Sequence, residues 1–162
     1  MDTFQLTGAL VKYQWGCYRQ LLFLIQTTQH FMGAMGITIS IHDGVIIGYS
    51  VSFLENKLIL EIKTVTDEIV TVSFENYLAH DFHHVMAGSI LFDIDEADLN
   101  TFFVENREQF ENFKLYAWPI WYGNTNELEQ ELQKDNYKCY VISASLGLTG
   151  YVFAKVLKIK SK

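Results

Sequence analysis

Val45-Ile46-Ile47-Gly48-Tyr49-Ser50-Val51-Ser52-Phe53, then Lys57-Leu58-Ile59-Leu60-Glu61-Ile62, then Ile69-Val70-Thr71-Val72-Ser73-Phe74, is the stretch on which the fold turns. Val45, Ile47, Tyr49, Val51 and Phe53 recur at every second residue, as do Leu58, Leu60 and Ile62, and Val70, Val72 and Phe74. A period of two is that of a strand, whose successive side chains point to opposite faces. His42-Asp43-Gly44, Glu55-Asn56 and Thr66-Asp67-Glu68 separate the runs and read as turns. Upstream, Ile37, Ile39 and Ile41 alternate with Thr38 and Ser40. The pattern predicts a meander of about four antiparallel strands with one face buried.

Around this meander the period lengthens. Val11, Trp15, Tyr18, Leu22, Ile25 and Met32 predict an amphipathic helix within residues 9–33, ended by Gly33 and Gly36. A short strand is expected over Ser89 to Phe92. A helix then opens at Asp95 and carries Leu99, Phe102, Phe103, Phe110 and Phe113 on one face. Asp95, Glu96 and Asp98 fall in its first turn, where the helix dipole favours acids. A further helix over residues 125–135 places Leu128 and Leu132 one turn apart. Two apolar runs, 138–145 and 150–158, joined by Gly147-Leu148-Thr149-Gly150, read as a closing hairpin. Strands grouped together, rather than alternating with helices, indicate an α+β fold: an antiparallel meander and a C-terminal hairpin packed against about three helices. One domain spanning 1–162 is expected, with a single proline, Pro119, and no linker-like tract.

The composition narrows the function classes. The net charge of −7 disfavours a phosphate-backbone partner, so no nucleic acid is expected. A basic protein or a cationic ligand suits it better, although a charge of this size also serves solubility alone. Leu21-Leu22-Phe23-Leu24-Ile25 is too short for a signal-peptide core or a membrane span, which leads to the expectation of a cytoplasmic protein with no membrane partner. Cys17 and Cys139 form no spaced framework and read as free thiols.

Three groups carry possible chemistry. In His80-Asp81-Phe82-His83-His84, a helix would bring His80 and His84 together as a metal-binding pair, but a third ligand is missing and a polar turn after a strand explains the run as well. In Asp93-Ile94-Asp95-Glu96-Ala97-Asp98, a helix start accounts for all the acids except Asp93, and a calcium loop's glycine and closing glutamate are absent. Ser143-Ala144-Ser145-Leu146-Gly147 lacks the first glycine of a nucleophile elbow. No catalytic set is complete and no cofactor is implied. The aromatic loop Trp118-Pro119-Ile120-Trp121-Tyr122 reads either as a cap on the core or as a recognition patch. From Asp67 to Phe113, eleven acids against the lone Arg107 leave −10, whereas the last eight residues hold four lysines.

From Gly44 to Lys158 the chain resembles small acidic bacterial proteins of toxin–immunity loci. The features are Gly48 to Phe53, Ser89 to Glu96, Trp118 to Tyr122 and Gly147 to Tyr151. The resemblance implies a single-domain protein, not an enzyme, that neutralises a cognate basic toxin by occluding its active site. The residues expected to meet that toxin are Asp93, Asp95, Asp98, Glu105 and Glu108, with Trp121 and Tyr122 as apolar anchors, since charge steers and aromatics anchor. The alternatives are a small metal-dependent hydrolase using His80 and His84, or a structural or small-ligand-binding domain.

Overall fold

Alternation decides β2 (Lys57–Lys63) and β3 (Ile69–Glu75) in a computed structural model that describes residues 40–162. In β1 (Val45–Ser52) a bulge between Ile46 and Gly48 breaks the expected alternation, leaving Ile46 buried and Val45 and Ile47 exposed. The helix expected within residues 9–33, the strand begun at Ile37 and Cys17 lie outside the described residues, except for Ser40 and Ile41. The described residues all fall within one compact unit. After β3 come β4 (Ala79–His83), β5 (Ile90–Ala97), α1 (Leu99–Glu105), α2 (Arg107–Phe113), a 3-10 turn (Lys114–Tyr116) and α3 (Thr125–Lys134). The chain continues through β6 (Lys138–Leu146), β7 (Thr149–Ala154) and β8 (Val156–Ser161). This is an α+β fold.

In β2, Leu58, Leu60 and Ile62 are fully buried, and in β3 so are Val70, Val72 and Phe74. The register sets them side by side: Leu58 opposite Phe74, Leu60 opposite Val72, Ile62 opposite Val70. Each such side chain contributes about 1.5–3 kcal/mol by leaving water. A one-residue slip would turn all of them outward, which holds the register. Asp43, Asn56 and Asp67 sit at positive φ in the turns, a conformation that Asn and Asp tolerate better than other side chains.

All pairings are antiparallel, and the eight strands run in the order β4-β7-β6-β5-β1-β2-β3-β8. The two ends of that order are continuous with strands elsewhere in it. β4 follows β3 after Asn76-Tyr77-Leu78, and β8 follows β7 after Lys155 alone. Glu75 pairs with Val156, and Ala79 pairs with Phe153. Between them the Leu78 N–H donates to Phe153 O at 2.9 Å and the Lys155 N–H to Glu75 O at 3.1 Å. The path β3–β4 therefore runs against the path β7–β8 as one ribbon with a bulge, and it closes the sheet on itself. Inside the ring pack Ile46, Leu60, Phe74, Leu91, Ile142 and Val152. Gly150 marks where β4 crosses close to β7: a β-carbon there would collide with the Asp81 carbonyl.

The helices cover the outer face of β6 and β7. Tyr140, Ile142, Val152 and Ala154 point into the ring, while Cys139, Tyr151 and Phe153 point out against Phe102, Phe103, Phe110, Leu128 and Leu132. β7 is thus buried on both faces. Phe103 and Phe110 meet at 4.7 Å and Phe102 and Tyr151 at 4.9 Å between ring centres. Edge-to-face pairs of this kind add about 0.5–1.5 kcal/mol beyond area burial.

Three further expectations need correction. The strand expected to end at Phe92 runs on to Ala97, because Ile94 lies opposite Ile142 and is buried with it. Asp95 and Glu96 are therefore strand residues, and only Asp98 serves the helix, capping α1 by accepting from the Thr101 N–H at 2.9 Å. The expected single helix breaks at Asn106, whose side-chain amide bonds back to Phe102 O at 2.7 Å. The apolar run 150–158 is two strands, since the chain changes partners at Lys155 from β4 and β6 to β3.

Truncating Phe153 to alanine, at the junction of both layers, is expected to cost about 3–5 kcal/mol. The Trp121→Ala change is expected to stay within about 0.5 kcal/mol, because that ring is 77% exposed. Urea melts of the two variants check the contrast.

Candidate functional site

β4 carries polar groups on both of its faces. Asp81 faces the helix layer, and His80 and Phe82 face the other way. The Asp81 carboxylate takes three contacts on Oδ2: the Gln109 amide donates at 2.7 Å, the Tyr151 hydroxyl lies at 3.5 Å and His83 Nε2 at 3.1 Å. Its side chain is 21% exposed. Among the described residues no lysine or arginine pairs with it, and of its donors only His83 can carry a positive charge. Burial pushes the Tyr151 hydroxyl well above its ordinary value, and the Asp81 charge pushes it further.

Beside Asp81 lies a cleft of about 260 Å³ lined by His80, Asp81, Phe113, Tyr116 and Trp118. α2 and the 3-10 turn after it build its aromatic wall from Phe113 and Tyr116, which follow Gln109 at steps of four and three along one stripe of the helical surface. Phe113 and Trp118 meet edge to face at 4.7 Å. His80 borders the cleft from β4 while its ring turns to the strand's other face. Its Nδ1 lies 2.7 Å from the Tyr77 hydroxyl, and its ring packs 4.5 Å from Phe82 and 6.0 Å from Tyr49. Burial lowers the His80 pKa, with the Asp81 charge opposing.

A second cleft of about 170 Å³ lies at the start of α3, lined by Arg107, Glu111, Asn124, Thr125 and Asn126. It is a closed local network. The Thr125 hydroxyl donates to Glu111 at 2.9 Å, and Lys114 lies 4.0 Å from the same carboxylate.

The residues expected to meet a partner do not form one group. Asp93 and Asp95 lie on β5, and Asp93 Oδ1 accepts from the Ile94 N–H at 2.8 Å. Asp98 is committed to capping α1. Glu105 and Glu108 are exposed on either side of the Asn106 break. Trp121 is exposed, but Tyr122 is not: it is 2% exposed and its hydroxyl donates to Phe110 O, so it belongs to the core and is no anchor. Burial, helped by the Glu111 charge, pushes its hydroxyl up to about 12. The aromatic loop is thus mostly a cap, with Trp118 and Ile120 packed on the helix cluster and Trp121 turned out.

The acid-rich segment is partly neutralised by lysines that the sheet brings to it. Lys158 pairs with Glu75 and Lys138 with Glu96 at 2.7 Å, and Lys162 pairs at 2.5 Å with Glu61, which precedes the segment. The helical pairing of His80 with His84 is also corrected. The run is the strand β4, and His84 sits at φ 53 just beyond its end. Among the described residues no three His, Cys, Asp or Glu side chains gather as a metal would require. Ser143 lies within β6 opposite Asp93, not on a strand-to-helix turn. Cys139 is a buried free thiol whose pKa burial pushes up. On the helix expected there Asp81 points away from the His80 and His84 pair, and nothing in the sequence marks Gln109 and Tyr151 as its partners.

No family model matches the chain. No curated protein matches it in sequence, and no solved structure matches it. Among the described residues no helix is long and apolar enough to cross a membrane.

The lowered His80 pKa has a signed consequence. Above the ordinary value of 6.5 the ring is neutral in both states and carries no penalty. Below it the unfolded chain binds a proton before the folded one does, so stability falls as pH drops toward the lowered folded value. His80→Gln is expected to flatten the melting temperature's dependence on pH between about 7 and 5. An unchanged slope by thermal scanning at stepped pH would remove His80 from this role.

Proposed function

We propose that this chain is a protein-binding domain of the immunity type, which neutralises a basic toxin by covering its active site. The observation that carries the reading is the segment after α2: Leu115 and Tyr116 are each 80% exposed and Trp121 is 77% exposed, within a few residues of one another on an acidic chain. Large exposed apolar groups on a short, capped loop are preformed anchors, because the loop's other aromatics fix its backbone against the core. Glu105 and Glu108 precede it on the helices and supply negative charge at exposed positions. Charge of this sign raises the rate of encounter with a basic partner, and the anchors hold the complex once it forms.

The adjoining cleft supports binding of a protein over a metabolite. At about 260 Å³ it lies below the roughly 300–1,000 Å³ of small-molecule sites. It is large enough to take one side chain.

A tagged pull-down from the native cell, at low and at moderate salt, tests the reading. One dominant basic partner, near equimolar and weakened by salt, is the expected result. Trp121→Ala is expected to weaken that complex by about 2 kcal/mol while leaving the melting curve unchanged. Glu105→Lys with Glu108→Lys is expected to slow association. No basic partner at either salt would sink the function, and unaltered affinity in all these variants would sink the placement.

A further inference from the structure

We infer that the cleft between β4 and α2 receives an arginine side chain of the partner. The inference rests on the protein-binding reading and names the partner chemistry that this surface reads.

Asp81 is partly buried, and among the described residues its three contacts all fall on Oδ2, which leaves Oδ1 to a ligand. One contact is His83, half exposed at the strand's end, and the other two come from neutral groups, the Gln109 amide and the Tyr151 hydroxyl. They orient the carboxylate without cancelling its charge, and burial with the Asp81 charge keeps the Tyr151 proton in place. A negative charge held in a concave site calls for a cation.

The walls decide which cation. Phe113, Tyr116 and Trp118 present aromatic surface around the carboxylate, and aromatic faces attract cations. A guanidinium is planar and weakly hydrated, so it can lie on such a face while one N–H donates to Oδ1. An ammonium is compact and strongly hydrated, and it loses more on entering an aromatic site. The cleft's volume admits one long side chain, and the chain's overall charge of −7 suits a basic donor.

The experiment titrates N-acetyl-arginine amide into the full chain and follows the Trp118 indole N–H by nuclear magnetic resonance, assigned with a Trp118→Phe sample. N-acetyl-citrulline amide, of like shape without the charge, and N-acetyl-lysine amide are run beside it. The expected result is a saturable shift for arginine, about tenfold stronger than for citrulline and stronger than for lysine. Asp81→Asn is expected to weaken arginine binding about tenfold, the loss of one charge-assisted contact. Because Asp81→Asn disturbs contacts that hold β4 to α2, Tyr116→Ala at an 80% exposed position is a second variant, expected to weaken binding severalfold. Equal binding of citrulline, or arginine binding untouched by both changes, overturns the inference. If a basic partner is captured and its affinity ignores both changes, the cleft assignment falls and the protein-binding reading stands. If arginine binds as expected and no basic partner is captured, the cleft stands and the reading falls.

Discussion

The ribbon formed by the paths β3–β4 and β7–β8 joins the two halves of the sheet, and the helices are hung on one of its members. β7 is hydrogen-bonded to β4 on one side and β6 on the other, with Val152 inside the ring and Phe153 beneath the helix layer. Its sequence, Thr-Gly-Tyr-Val-Phe-Ala, follows from that position: four consecutive buried residues and a glycine where β4 crosses. A strand covered on both faces loses the alternation that marks a half-exposed one. Moving β7 would displace the ring's core and the helix layer together, so every other element is placed relative to it.

Local periodicity made much of this legible. β2 and β3 read cleanly because each has one wet face and one dry face. α3 read cleanly because Leu128 and Leu132 lie on one side of a charged helix. The failures fall where tertiary pairing overrides local signal. Asp95 and Glu96 resemble a helix start, yet Ile94 needed the sheet's interior and drew them into β5. Nothing in the run 150–158 reveals that Lys155 is where the chain leaves one pair of neighbours for another. That step depends on β3, far away in sequence, and no local pattern encodes it.

The site was legible in its materials and not in its assembly. The aromatic loop stood out in the sequence, but its members divide by burial: Trp118 and Tyr122 inward, Trp121 outward. Asp81 looked like one member of a histidine cluster. Its partners Gln109 and Tyr151 come from α2 and β7, which the fold alone brings together. The acid-rich segment lost part of its meaning once the sheet delivered Lys158 to Glu75 and Lys138 to Glu96. Charge counted along a chain differs from charge on a surface, because antiparallel pairing places distant residues opposite one another.

The order in which the ring's strands are synthesised has a consequence for folding in the cell. β1, β2 and β3 pair in sequence, and so can form as the chain emerges from the ribosome. The ring cannot shut until β7 and β8 follow, and its closing contacts are among the most distant in the described chain. Non-local pairings of that kind are slow to form. Until they do, β3 has an open edge with Val70, Val72 and Phe74 uncovered, which is the kind of surface on which nascent chains stick to one another and chaperones act.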